Sequence, residues 1–491
     1  MNNRGMRWLQ ALLFEGDRRL ALVALALIAV GAGFVAGAYV AVLSPLLAVV
    51  ATLALVVGLL MLRSTQWGLF ALIAVACLLP FGALPVQIGF RPTFLDLVLL
   101  VLLFVFVSSL ALGRRQEFVA TPLGGPILLF MALACASFVA GLTHSSATSY
   151  VLRHFAEILL AIGLFFIVVN SVRSLKHLRQ VAAVIMLAGA AEAFIGVALY
   201  VIPRATAIRL LSALGRFNYP AGAAVLRFVD DDPEGTMRAI GTSIDPNVLG
   251  GLMILIGGLL AAQLFARRPI LPRWLVAGML LGVAACLYLT YSRAAMLGLA
   301  VAMLMLGALR YRKLLLVIAA AGVLIMLLPQ TQAYVLRFIE GLQGADRATQ
   351  MRLGEYKDAF ILISRYPWFG VGFAGTPDID TYLGVSSAYL LMAEQMGVVG
   401  LAVFLAIMIW FMAYGLRAWP RLRAGPEGDQ AEALLLGFMA SLAGALVAGV
   451  LDHYFFNFDF PHSVTLFWLF VGLGVAAARL GQGASAVQTP A

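Results

Sequence analysis

Two arginines stand where a membrane-like sequence has little use for charge. Arg293 lies in YLTYSRAAMLGL, between two apolar runs, and Arg238 lies in TMRAIGTSIDPNVLGG. A cation near membrane depth is costly unless it faces a partner or an aqueous cavity. There a guanidinium can bind phosphate oxygens bidentately. Its structural alternative is a snorkelling or helix-pairing side chain. After Arg238, the run Gly241, Thr242, Ser243, Asp245, Pro246 and Asn247 reads as a tight turn and a helix start. Pro246 fits the first helical turn and Asp245 the cap. A helix N-terminus beside an arginine suits an anion, although a plain capped return into the membrane needs the same residues.

Other side chains could contribute chemistry. Arg352 and Arg365 flank an amphipathic stretch, 352–364, and either could line the same cavity or be a solvated charge. The segment LDHYFFNFDFPHS holds Asp452, His453, Asp459 and His462. An Asp–His pair there could serve as a general base, or simply cap a tight turn. Arg153 and Glu157 are spaced to neutralise each other across one helical turn. Glu394, near Gly397 and Gly400, reads as a packing or polar-network residue. Glu192 and Asp96 look like isolated membrane acids. Cys77, Cys135 and Cys286 lie in apolar runs without metal-ligand spacing, so neither a disulfide nor a metal site is expected.

These residues must be held by membrane helices. The chain of 491 residues is 63% hydrophobic and 11% charged, against about a quarter charged in a soluble domain. The fold class expected is all-α and polytopic, with about fourteen transmembrane helices of roughly 20 residues each. The spans fall near 21–42, 44–62, 67–86, 94–112, 126–142, 155–170, 181–202, 247–265, 274–291, 294–309, 314–330, 388–416, 432–452 and 463–479. The first of these reads as a permanent span rather than a cleaved signal.

Charge then assigns sides. Twenty of the 33 basic residues fall in the two termini and alternate short loops, such as those holding Arg173, Lys176 and Arg179, or Arg310, Arg312 and Lys313. Those loops mark the cytoplasmic face, with both termini inside. The other thirteen gather at the opposite face, which suggests that it handles an anion. Five regions follow: N-terminal transmembrane helices (1–202), a first periplasmic loop (203–246), central transmembrane helices (247–331), a large periplasmic loop (332–387) and C-terminal transmembrane helices (388–491). Both loops are too long to be mere connectors and should be ordered. Gly370 and Gly372 in PWFGVGF suit a sharp turn back toward the bundle. The chain carries no phosphate-binding loop and no dinucleotide fingerprint. The excess positive charge sits in short loops and does not point to nucleic acid.

The segments RAIGTSIDPNVLGG, YSRAAMLGL and MRLGEYKDAFILISRYPWFGVGF, followed by SSAYLLMAEQMGVVGLAVF, together resemble the O-antigen ligase and Wzy-type O-antigen (exopolysaccharide) polymerase superfamily. The likeness covers roughly Arg238 to Leu405. It implies a GT-C-like, metal-independent and inverting glycosyltransferase without a cofactor. Its implied partners are an undecaprenyl-diphosphate-linked glycan, the bilayer of the bacterial inner membrane and polysaccharide assembly proteins such as a chain-length regulator. It assigns Arg238 and Arg293 to the diphosphate and Arg352 to the start of the large-loop helix. Ligases of this kind usually carry a His just before the next span, where this chain has Ser386, Ser387 and Ala388. That departure favours a polymerase, or another base such as His453 or Asp452. The expected function is polymerisation of lipid-linked repeat units at the periplasmic face, with ligation to another acceptor as the alternative. A transporter of an anionic lipid-linked substrate is the rival from another class, and inverted repeats would distinguish it.

Overall fold

The computed structural model describes residues 52–84, 89–113, 118–327, 347–376, 384–424 and 428–486, with residues 37, 87, 343 and 380. Apart from residue 37, the expected span 21–42 lies outside the described residues, as do the start of that at 44–62 and the end of that at 314–330. The chain divides into two compact units, Met1–Ser64 and Thr65–Ala491. In the first, helix α1 (Thr52–Arg63) is apolar. The second holds the helices α2 (Thr65–Leu78), α3 (Phe94–Ala111), α4 (Gly124–Gly141), α5 (Ser149–Ser171) and α6 (Leu175–Val201). It continues with α7 (Arg204–Ala213), α8 (Pro246–Phe265), α9 (Arg273–Thr290), α10 (Arg293–Leu309) and α11 (Arg312–Leu327), then α12 (Arg347–Arg365), α13 (Ala388–Ala424), α14 (Gly428–Ala448) and α15 (Pro461–Ala486). Nine of these, α3–α6, α8, α9 and α13–α15, are long and apolar enough to cross a membrane. The protein is a multi-pass helical membrane protein. Among the described residues its departures from all-α are a hairpin of two-residue strands, β1 (Arg227–Phe228) and β2 (Met237–Arg238), which pairs Arg227 with Arg238, and an isolated bridge between Ala83 and Thr93.

Helix α8 is the pivot of the bundle. Its spanning window is 89% buried, and it packs against α6, α9, α10 and α14. The repeated small pairs in GGLMILIGG permit this. A Cβ at Gly250 would meet Ala295 of α10, and one at Gly258 would meet Ser441 of α14. At the basic end, Arg310 pairs with Glu432 at 3.0 Å, Arg179 donates to Gln430 at 2.6 Å, and Arg479 donates to the Val172 carbonyl at 3.0 Å.

The first long loop is ordered, as expected. Ala207 and Leu211 of α7 pack with Val225, Leu226, Met237 and Ile240 into a small apolar cluster. Arg204 ties off its hairpin by donating to the carbonyls of Pro233 and Gly235, both at 3.1 Å. The amphipathic stretch of the second loop is α12, six residues longer than its apolar pattern suggested, mostly at its start.

The span predicted over 388–416 is broken. Gly397 sits at φ 69° within α13, where a Cβ would fall 2.2 Å from the Trp368 carbonyl oxygen. The break frees two carbonyls, and the glycine turn after α12 uses them. Val371 N–H donates to Glu394 O at 2.8 Å, Gly372 N–H to Gln395 O at 3.0 Å, and Val398 N–H donates back to Pro367 O at 2.7 Å. An unwound backbone at membrane depth is tolerable only when its groups are satisfied in this way. The turn thereby fixes α12 over the start of α13.

Candidate functional site

The site forms where three chain reversals meet at the loop end of the bundle. Helix α9 ends at Tyr291, a non-glycine residue at φ 56°, and α10 begins two residues later with Arg293. Strand β2 lies along this reversal: Ala239 N–H donates to Leu289 O at 2.8 Å. That pairing delivers Arg238 to the same turn. Its Nε donates to Thr290 O at 2.7 Å and its Nη2 to Asn247 Oδ1 at 2.8 Å. Arg238 is thus anchored three residues from Arg293 in one direction and on the first turn of α8 in the other. Both arginines are only partly buried.

The start of α8 has the cap that the sequence indicated. Asp245 accepts from the N–H groups of Asn247 at 2.7 Å and Val248 at 3.1 Å, with Pro246 following it. Ile244 just before is β-branched and sits at φ 63°. Such a residue costs on the order of 1–3 kcal/mol, and such strain concentrates at functional sites. Glu192 holds the turn from below: its carboxylate accepts the Thr242 N–H at 2.7 Å and the Thr242 hydroxyl at 3.0 Å. Gly241, at φ 54°, leaves room, since a Cβ there would lie 2.2 Å from Glu192 Oε1. The membrane acid that looked isolated is a buried bracket for the loop carrying Arg238.

The third reversal, residues 449–460, joins α14 to α15. Its Tyr454 ring packs against Gly251 of α8. Asp452 is buried, and its Oδ2 stands 4.0 Å from Arg352 Nη2. Burial pushes the Asp452 carboxyl above the ordinary range; nearby His453 and Arg352 pull it down and Asp245 pushes it further up. The Asp–His pair is not a hydrogen-bonded dyad. Asp452 Oδ1 accepts the backbone N–H of His453 at 2.9 Å, while the ring Nδ1 stands 4.0 Å away, beyond hydrogen-bonding reach. Arg238 is therefore anchored to the turn from which α10 and Arg293 begin, while Arg352 approaches Asp452 on the third reversal.

Several outer cations serve elsewhere. Arg365 is held by Asp380 through contacts of 3.2 and 3.3 Å, a bond that holds the exposed Asp380 carboxyl below its usual range. It lies thirteen residues along α12 from Arg352, a rise of roughly 20 Å. Arg153 bridges Asp96 at 3.1 Å and Glu157 at 2.8 Å. The spacing to Glu157 gave half of that pairing, but Asp96, 57 residues away, is not isolated as its sequence context suggested. Among the described residues, Arg153 and Arg365 are thus structural anchors, whereas Arg238 and Arg293 lie at the α9–α10 turn.

Between α12, the start of α13 and the third reversal lies a cavity of about 290 Å³ that the sequence did not reveal. Glu355, one turn along α12, forms part of its wall with Gln395, His453, Asn457 and Asp459. Glu355 Oε2 accepts the Ser386 N–H at 2.9 Å.

Residues 277–405 match the family model described as O-antigen ligase. Over that segment, about a quarter of the chain, the protein is similar to an O-antigen ligase domain. That domain type implies a membrane-embedded enzyme of the glycosyl-transfer kind. The comparison with curated proteins finds no match. The matched segment begins within α9 and ends within α13, so it includes Arg293, Arg352, Glu355 and the break at Gly397. Arg238, Asp452 and His453 lie outside it and are brought to it by the fold.

Proposed function

We propose that the protein polymerises glycan repeat units carried on undecaprenyl diphosphate, at the periplasmic face of the bacterial inner membrane. Both termini are then cytoplasmic, and the loops 203–246 and 332–387 cover the site. The observation that carries this reading is the anchoring of Arg238 beside Arg293 at the α9–α10 turn, next to the N-terminus of α8. A lipid diphosphate reaching that turn from the outer leaflet meets two guanidinium groups and a helix dipole. As the anomeric carbon–oxygen bond breaks, negative charge grows on the departing diphosphate. Fixed cations stabilise that charge more in the transition state than in the ground state. Arg352 extends the positive surface toward the acceptor. Arg365, tied to Asp380, is left out of the reading. Loss of a preorganised donor to a developing oxyanion costs about 10²–10³ in rate. Arg238→Ala and Arg293→Ala should therefore abolish polymer while both proteins accumulate normally in the membrane. Near-normal product from either variant refutes the assignment.

Ligation of a finished glycan to a different acceptor is the second reading, favoured by the description of the matched family itself. The products separate the two: a ladder on undecaprenyl diphosphate indicates polymerisation, and transfer to another acceptor indicates ligation. Chain-length regulators are natural partners of the first activity.

A further inference from the structure

An inverting transfer needs a group to receive the proton of the attacking hydroxyl, and the cavity under α12 presents three candidates. The first, His453, is poorly set for the task. Its Nδ1 is buried without a hydrogen-bond partner. For Nε2 to accept a proton, Nδ1 must carry the hydrogen of the neutral ring. That tautomer buries an unpaired N–H. The second, Asp459, accepts a close hydrogen bond from the Tyr150 hydroxyl. The third, Glu355, differs from both. One of its oxygens is fixed by the Ser386 N–H at 2.9 Å. The other has no protein partner among the described residues, and the side chain lines the cavity.

Position strengthens the case. Glu355 follows Arg352 by three residues on α12, and side chains so spaced lie on one helical face. Arg352 reaches toward Asp452, and Glu355 reaches toward the start of α13. The same helix turn thus carries a cation beside Asp452 of the third reversal and a carboxylate on the wall of the cavity. Gln395 and Asn457 add amide groups to the wall, and the Phe373 and Phe458 rings flank it. Amides, a carboxylate and aromatic faces are the groups that bind a sugar.

We propose that the cavity takes the acceptor saccharide and that Glu355 is its catalytic base; this rests on the glycosyl-transfer reading above. The acceptor hydroxyl oxygen forms the new bond to the anomeric carbon. The bond from that carbon to the diphosphate oxygen breaks, and its electron pair leaves with the lipid diphosphate. The hydroxyl proton passes to the unpartnered oxygen of Glu355.

The test uses the full-length protein in lipid nanodiscs, with an undecaprenyl-diphosphate-linked repeat unit as both donor and acceptor. Glu355→Gln keeps the shape and an oxygen for the Ser386 N–H. It should lower kcat by about 10²–10⁴, the usual contribution of a general base, with affinity for the donor held within roughly threefold. Glu355→Asp, which keeps a carboxylate, should retain measurable turnover, and added formate should partly restore Glu355→Ala. His453→Asn should lose less than about tenfold, since the ring would not be the proton acceptor. Wild-type turnover together with near-normal turnover in Glu355→Gln overturns the assignment of the base alone. So does a Glu355→Gln protein that loses donor binding along with turnover, because that marks a structural role. Absence of any transfer by the wild type overturns the polymerisation reading, and this proposal with it.

Discussion

Replacing Asn247 by Asp probes the Arg238 site without disturbing the fold. Asn247 occupies the second position of α8, where its Oδ1 accepts from Arg238 Nη2 at 2.8 Å. An aspartate is nearly isosteric there, and negative charge in the first turn of a helix is favourable by about 0.3–1 kcal/mol. Thermal stability should therefore hold or rise slightly. Function should respond in the opposite direction. The new carboxylate competes with the diphosphate for the same guanidinium. Unit charges about 4 Å apart near a protein surface interact by about 4 kcal/mol before solvent relaxation. If roughly half of that survives as lost donor affinity, binding weakens about 10- to 100-fold, at 1.4 kcal/mol per decade. The assay is donor binding and initial rate for purified Asn247→Asp in nanodiscs, beside its melting temperature. An unchanged donor affinity in a stable protein refutes the placement of the diphosphate at Arg238.

Two further outcomes follow from the geometry. Arg365→Ala should leave polymer formation unchanged, because Arg365 pairs with Asp380 roughly 20 Å along α12 from Arg352; a large loss in a membrane assay would place Arg365 at the substrate after all. Asp452 has a raised carboxyl pKa in the folded protein, so the folded state keeps its proton to higher pH than the unfolded chain does. Its contribution to stability is present at low pH and is lost as pH rises above the ordinary carboxylate range and through the folded value. Asp452→Asn should therefore flatten the fall in melting temperature over that window, measured by thermal unfolding in detergent from pH 4 to about 8; an unaltered pH profile would refute it.

Local features were legible in the sequence. Asp245 followed by Pro246 marked the start of α8 because capping is decided within one turn of chain. The spacing of Arg153 and Glu157 gave their pairing, and the apolar periodicity of 352–364 gave most of α12. Features set by distant partners were not legible. Asp96 looked isolated because Arg153 is 57 residues away, and Glu192 because Thr242 is 50 residues away. The break at Gly397 was hidden in an apolar run, since the groups that satisfy it belong to the turn at 367–372. Glu355 attracted no notice for the same reason: it reads as one charge on an amphipathic helix until the fold sets it against Ser386.

A structure of the protein with an undecaprenyl diphosphate analogue in a lipid nanodisc is the most direct measurement. The diphosphate should lie at the α9–α10 turn, within hydrogen-bonding distance of both Arg238 and Arg293. A diphosphate bound elsewhere, with those two guanidinium groups turned away from it, would contradict the account.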